Sequence, residues 1–231
     1  MTIDPARKKI LGFEVVAICF LFLLPVTWNG VVSYFYPHTI TLDRGLREQM
    51  GRLIFNVSYI VPVLFIMWGS GDGFAKFGLT RMEWWKAMNV AILCLVGMML
   101  VRGVCISFLR SVAPDLVKSS FLFKHNLGRI PKSALDGSLA LAFYFVGAFA
   151  EELILRAYLI TRFTELFRSK IYAALLSSAL FAVYHCYQGI TAVFVVFFHG
   201  LLFSLTFLAT RNIWPSTFAH TAYNFIVGFL R

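Results

Sequence analysis

Long apolar runs, separated by short polar segments, dominate the chain. About seven of these runs reach or approach the roughly 20 apolar residues that a helix needs to cross a bilayer. They extend approximately over residues 10–36, 53–68, 87–109, 139–160, 171–187, 190–209 and 214–230. The pattern therefore predicts an all-α, polytopic membrane protein with about seven transmembrane helices, of which one among the last three is tilted or spans only partly.

Composition and charge support this class. Hydrophobic residues make up 59 % and charged residues 14 % of the 231 residues, which is too apolar for a water-soluble domain. The formal charge of +10 is spread over nearly every loop and both tails, so we expect contact with the lipid bilayer and no nucleic-acid partner. No internal repeat is visible, and we expect a single membrane domain over residues 1–231.

Ionisable side chains inside the apolar runs are the candidates for function, because each charge at bilayer depth costs at least about 2.5 kcal/mol. The set consists of Glu14, Arg102, Glu151, Glu152, Arg156, His185, His199 and His220, with Asn224 as a neutral companion. Glu14 and Arg102 are expected to pair between the first and third runs, or else to line a cavity.

The fourth run carries two adjacent glutamates. Glu152 and Arg156 are four residues apart and share a helix face, so we expect an ion pair that positions the helix. Glu151 lies five residues before Arg156, roughly 140° around the helix, and has no partner on its own helix. This spacing makes Glu151 the stronger catalytic candidate.

Two later runs repeat the four-residue spacing. His185 follows Phe181 on one helix face, and Asn224 follows His220 on another, after Pro215 in a helix-start context. A single buried histidine is more often structural than catalytic. Together, however, these helices offer a carboxylate, two imidazoles and an amide at similar depths, and we expect them to enclose an intramembrane catalytic cavity.

This set of groups suits hydrolysis by an activated water. A carboxylate beside an imidazole can take a proton from water, while separate donors stabilise the oxyanion that forms on the attacked carbonyl. The chain contains neither a G-x-S-x-G nucleophile motif nor an H-E-x-x-H zinc motif. The pattern therefore predicts peptide-bond hydrolysis without a covalent intermediate.

Three motifs carry a family resemblance: E-E-x-x-x-R at 151–156, F-x-x-x-H at 181–185 and H-x-x-x-N at 220–224. In this order the chain resembles the CPBP family of CAAX proteases and bacteriocin-processing enzymes, also called Abi proteins, which includes the Ras-converting CAAX endopeptidase. The resemblance covers residues 135–230, the expected catalytic core. The FGLTR segment at 77–81 resembles a further short family feature.

The resemblance implies an intramembrane glutamate protease, and we expect it to need no cofactor. In it, Glu151 and His185 activate water, and His220 with Asn224 forms the oxyanion site. The supporting residues are Glu152, Arg156 and Phe181. The implied substrate is a membrane-associated or C-terminally tagged protein or peptide. The compact size of the chain favours a location as a multi-pass protein in a prokaryotic plasma membrane.

Alternative interpretations remain open at this point. His199 is a further candidate site residue, and three histidines with one carboxylate can form a catalytic zinc site. The chain can also be a non-proteolytic membrane scaffold or a bacteriocin-immunity factor. A proton-coupled transporter is a third hypothesis, because intramembrane Glu, His and Arg also mark proton relays, although no repeat supports it.

Overall fold

The computed structural model of the chain describes residues 4–35, 46–119 and 134–229, and every regular element in these ranges is helical. The first helix consists of α1 (Pro5–Ile18), a π-helical segment (Cys19–Leu23) and α2 (Leu24–Phe35). It is followed by α3 (Leu46–Gly69), α4 (Trp84–Val112) and the short α5 (Pro114–Ser119). Next come α6 (Ala134–Glu152), a second π-helical segment (Leu153–Ile160) and α7 (Thr161–Phe167). The last helices are α8 (Lys170–Val183), α9 (Ile190–Thr210) and α10 (Trp214–Phe229).

The chain is an integral membrane protein. In the described ranges, four helices are long and apolar enough to cross a bilayer: Pro5–Asn29, Trp84–Val112, Gly137–Phe167 and Ile190–Thr210. Leu53–Gly69 and Lys170–Val183 are apolar but shorter. A helix lies at each predicted run, but the count of seven spans is not confirmed. The reason is length, because the 14 residues of α8 extend only about 21 Å in a core about 30 Å thick.

Short turns bring the ends of α7 and α9 to one face of the molecule, where Glu165 and Arg211 both contact Lys76. We call this the polar face. Arg168 and Arg211 adopt left-handed backbone conformations where α7 and α9 end. The Ser169 hydroxyl then caps α8 by accepting a hydrogen bond from the Tyr172 amide at 3.3 Å. The Asn212 side chain accepts from the Trp214 amide at 2.9 Å and so starts α10. These turns fix where α8 and α10 begin.

The FGLTR segment docks onto the turn before α10. Gly78 has a φ of +76°, and a Cβ there would lie 2.6 Å from the Phe207 ring, so both backbone and space require glycine. The Asn212 side chain donates to the Thr80 carbonyl at 2.9 Å, and the Ile213 amide donates to the Gly78 carbonyl at 3.2 Å. The segment therefore anchors the helix that carries His220.

Small residues bring α8 and α9 into close contact. A Cβ at Gly200 would lie 3.1 Å from the Ser178 Cα and 3.0 Å from the Phe181 ring. The hydroxyls of Ser178 and Ser204 meet at 3.3 Å across the same interface. Such small-residue contacts are typical of membrane helices, where van der Waals packing drives association. Here they place Phe181 against the buried π-helical segment that follows α6.

The expected pair of Glu14 with Arg102 is wrong. The Glu14 carboxylate accepts from the Tyr158 hydroxyl at 2.9 Å and pairs with Arg162 at 3.1 Å. Arg102 instead donates to the Tyr223 hydroxyl at 3.0 Å. The physical reason is packing, because α1 lies against α7 and α4 lies against α9 and α10.

Candidate active site

The two glutamates end α6, directly before the π-helical segment Leu153–Ile160. π-helical turns widen a helix locally and occur frequently at functional sites. The side chains of the two glutamates have different surroundings. The Glu151 side chain is 32 % exposed, whereas the Glu152 side chain is fully buried. Only the first glutamate is therefore accessible from outside the packed core.

Glu152 is held by partners from two helices. Its Oε1 pairs with Nη1 of Arg156 at 3.3 Å, which confirms the pair predicted from the four-residue spacing. Nδ1 of His220 donates to the same oxygen at 3.1 Å. Arg156 is also fully buried and donates to the Gly200 carbonyl at 3.3 Å. The negative charge of Glu152 is therefore compensated inside the protein.

Two aromatic rings enclose the Arg156 guanidinium. Its Cζ lies 4.4 Å from the ring centre of Phe181 and 5.1 Å from that of Phe203. Phe203 also stacks on the His220 ring at 4.8 Å. Sequence reasoning included Phe181 but missed Phe203, although Phe203 lies four residues after His199 on one face of α9. The rings fix the positions of both polar side chains.

His220 lies between the two glutamates. Its Nδ1 faces Glu152, and its Nε2 lies 3.5 Å from Oε2 of Glu151, an electrostatic contact rather than a hydrogen bond. The predicted convergence of His220 with the glutamates is therefore observed. Among the described side chains, the histidine in direct contact with Glu151 is His220, whereas the sequence interpretation assigned His185 as its partner.

His185 lies close to this cluster, in the turn two residues after the end of α8 and not on the helix as predicted. Its ring lies 4.8 Å from that of Phe181, which lies 5.8 Å from the His220 ring, and Glu151 is near enough to His185 to interact electrostatically. Nδ1 of His185 lies 2.8 Å from the Phe181 carbonyl oxygen. Because a carbonyl only accepts, Nδ1 carries a proton, and Nε2 of the neutral ring is a proton acceptor.

Tyr184 was missed by sequence reasoning. Its side chain is buried, and its hydroxyl lies beside Glu151 without good hydrogen-bond geometry. Its ring also packs 4.3 Å from that of His185. The only signal in the sequence was its position directly before His185, which says nothing about its proximity to Glu151.

Asn224 lies one turn after His220 on α10 and is half-buried. No side-chain hydrogen bond between described residues involves Asn224. Its amide group can therefore hydrogen-bond to a bound ligand.

His199 is buried on α9, where its Nε2 donates to the Met98 carbonyl at 3.0 Å. Its ring packs 4.8 Å from that of Tyr223, on the α4 side of the cluster. Across residues 4–35, 46–119 and 134–229, no group of three or more His, Cys, Asp or Glu side chains is arranged to hold a metal ion. The expectation that the protein needs no cofactor stays a prediction.

A comparison with models of known protein families finds a match for the second half of the chain. Residues 134–226 match the model described as Rce1-like, type II CAAX prenyl endopeptidase. This match confirms the family resemblance carried by the three motifs, all of which lie in the matched range. No significant match was found with a curated protein or with a solved structure.

Proposed function

We propose, on the premise that residues 134–226 belong to the Rce1-like family of CAAX prenyl endopeptidases, that the chain is an intramembrane endopeptidase of the glutamate type. The observation that carries the proposal is the contrast within the glutamate pair. Glu152 is paired with Arg156 and accepts a hydrogen bond from His220, whereas Glu151 is partly exposed and makes no hydrogen bond through its Oε2. A carboxylate of the second kind is suited to act as a general base.

In the proposed mechanism, Glu151 and His185 bind and activate the attacking water. The carboxylate of Glu151, on α6, and Nε2 of His185, in the turn after α8, are both acceptors. A water molecule held between them can give a proton to one acceptor while its oxygen attacks the substrate carbonyl. The Tyr184 hydroxyl, which lies beside Glu151, can donate a hydrogen bond to the carboxylate after a small movement.

His220 and Asn224 stabilise the oxyanion in this proposal. Nδ1 of His220 is already engaged with Glu152, so a proton on Nε2 makes this ring a cationic donor on the side of Glu151. The Asn224 amide supplies a second, neutral donor from the next turn of α10. When the C–N bond breaks, the leaving amine takes the proton that Glu151 or His185 received from water.

The proposed substrate is a membrane-associated protein or peptide with a C-terminal C-a-a-X sequence and a prenylated cysteine. The family description supports this class, and the apolar surface of the long helices gives a lipid chain access from the bilayer. The proposed location is a prokaryotic plasma membrane. The proposal requires no metal ion, because the histidines engage the separate partners described above.

Replacing Glu151 by Gln tests the proposal. The substitution keeps the size of the side chain and removes the base, so hydrolysis should fall by about 10²- to 10⁴-fold. The measurement is the release of the C-terminal tripeptide from a farnesylated C-a-a-X peptide by protein in lipid nanodiscs, followed by mass spectrometry. Glu83→Gln, at an exposed glutamate outside the site, is the matched control and should keep wild-type turnover.

A general base is expected to supply about 10²-fold or more in rate. Turnover by the Glu151→Gln protein within about threefold of wild type would therefore contradict the assignment of Glu151 as the base. The unfolding temperature of this variant should remain close to that of the wild type, which separates lost chemistry from lost folding. If wild-type protein releases no tripeptide and Glu151→Gln leaves the cellular phenotype unchanged, a non-proteolytic scaffold or immunity role explains the protein better.

A further inference from the structure

Arg102 is a cation inside a membrane helix without a compensating carboxylate. It lies in α4 about 27 Å from the start of that helix, is half-buried, and donates to the neutral Tyr223 hydroxyl at 3.0 Å. In the described part of the chain, no ion pair includes Arg102. An uncompensated charge at this depth is costly, so a functional ligand is the default expectation.

Two arginines of the described chain are fully buried, and they differ from Arg102 in this respect. Arg156 pairs with Glu152 at 3.3 Å, and Arg162 pairs with Glu14 at 3.1 Å and with Asp72 at 2.6 Å. The fold therefore supplies carboxylates where an arginine has a structural role. At Arg102 this partner is missing, which indicates an anion that comes from outside the described chain.

Arg102 lies next to the proposed active site. Tyr223, which holds it, is three residues after His220 and shares a face of α10 with it. The ring of His199 packs 4.8 Å from that of Tyr223, and Arg102 interacts electrostatically with His199. Along α10, the tyrosine that contacts the guanidinium therefore lies about one helical turn beyond His220, which contacts both glutamates.

We propose that Arg102 binds the C-terminal carboxylate of the peptide substrate and so selects chains with a free C-terminus. This inference rests on the proposed function. The guanidinium can hold a carboxylate with two parallel hydrogen bonds, and the Tyr223 hydroxyl, which accepts from Arg102, still has its own proton to donate.

The geometry also agrees with the length of the released product. The three residues that follow the cysteine of a C-a-a-X sequence span about 10 Å when extended. This length is comparable with one turn of α10 from His220 plus the reach of the Tyr223 side chain. A lipid phosphate is the alternative oxyanion. Arg102 donates to Tyr223 on α10, however, and α10 also carries His220, which favours the peptide.

A binding experiment tests this role apart from catalysis. Glu151→Gln protein in phosphatidylcholine nanodiscs is titrated with two fluorescent farnesylated C-a-a-X peptides, one with a free C-terminal carboxylate and one with a carboxamide. The carboxylate peptide should bind about 10- to 100-fold more tightly, as expected for a hydrogen-bonded charge pair. Adding Arg102→Gln should reduce its affinity to that of the carboxamide peptide and leave carboxamide binding unchanged.

Two further variants make the result specific. Arg110→Gln removes a cation from an exposed position of the same helix and should keep the full preference for the carboxylate. Tyr223→Phe keeps Arg102 and removes one donor, so the preference should fall severalfold even if Arg102→Gln does not fold.

Equal binding of the two peptides by protein that retains Arg102 would overturn the inference, as would an equal loss for both peptides in Arg102→Gln. An effect that appears only when phosphatidylglycerol is added would assign Arg102 to a lipid phosphate and overturn it as well. If the carboxylate preference is present but wild-type protein does not hydrolyse the peptide, the proposed protease function fails and the binding role stands.

Discussion

At the scale of single residues, Arg156 connects the separate parts of the candidate site. It pairs with Glu152, donates to the Gly200 carbonyl and lies over the rings of Phe181 and Phe203. These contacts join the π-helical segment to α8 and α9. Because Glu152 in turn accepts from Nδ1 of His220, the charge on Arg156 indirectly orients that ring.

Replacing Arg156 by Met should destabilise the protein by about 3–5 kcal/mol, because Glu152 would keep a buried charge without its cation. Denaturant unfolding in detergent micelles measures this loss. Arg156→Lys keeps the positive charge but lacks the planar guanidinium, so the free energy of unfolding should fall by less than in Arg156→Met.

A double substitution separates the ion pair from simple packing. In Glu152→Gln with Arg156→Met, neither buried charge remains, so the double variant should be more stable than Arg156→Met alone. If the two losses add without coupling, the ion pair is not the cause, and lost ring contacts explain the effect.

The sequence allowed part of this arrangement to be predicted. The Glu152–Arg156 pair follows from spacing within one helix, and the structure confirms it. The position of His220 between the glutamates depends on how α10 packs against α6, which no local spacing encodes. For the same reason Tyr184 and Phe203, whose roles come from tertiary contacts, were missed.

At the scale of elements, the apolar pattern predicted where helices occur but not their internal geometry. The π-helical segment Leu153–Ile160 differs from an α-helix in hydrogen-bond register, and a nearly uniform apolar run contains no signal for that difference. The apolar pattern also did not predict the number of complete membrane spans, because hydrophobicity alone does not fix where a helix ends. The α8–α9 interface shows what does determine position, namely small residues that permit close packing.

Gly200→Ala tests that interface. A Cβ at this position would be 3.0 Å from the Phe181 ring and 3.1 Å from the Ser178 backbone, so the helices must separate slightly. We expect a destabilisation of about 1–3 kcal/mol, as for other overpacked cores. Peptidase activity should fall as well, because Phe181 contacts both Arg156 and His185.

Gly103→Ala is the matched control for this substitution. It also lies within a membrane helix, but a Cβ there meets no atom within 4 Å. Because alanine favours a helix by up to about 1 kcal/mol over glycine, this variant should be as stable as the wild type or slightly more stable. Similar losses at both glycines would show that the contact with α8 is not the cause, because only Gly200 has α8 atoms within reach of an added Cβ.

At the scale of the whole molecule, a network of charges on the polar face joins segments that are distant in sequence. Asp72 pairs with Arg7 at 2.8 Å, with Lys76 at 2.9 Å and with Arg162 at 2.6 Å. It thereby connects α1, the segment between α3 and α4, and α7. Burial alone would raise the pKa of Asp72, but the hydrogen bonds from the three cations outweigh it and hold the pKa well below its usual range.

The lowered pKa predicts how stability depends on pH. A carboxyl group with a lower pKa in the folded state adds stability that is complete above its unfolded pKa, about 3.9, and declines as pH falls towards the folded pKa. Asp72→Asn should therefore cost on the order of 2–3 kcal/mol at neutral pH. The difference in free energy of unfolding between the wild type and Asp72→Asn should narrow below about pH 4.

Unfolding temperatures of both proteins at pH 7, pH 5 and pH 3.5 measure this gap. Asp115→Asn is the control, since Asp115 forms an exposed pair with Lys118 at 3.6 Å, and such pairs contribute little. Only a carboxylate that is ionised in the folded state and protonated on acid unfolding makes the gap shrink with acid. A gap that stays constant between pH 7 and pH 3.5 would show that Asp72 stabilises the fold through shape and hydrogen bonding. In that case, charge would not hold α1 against α7.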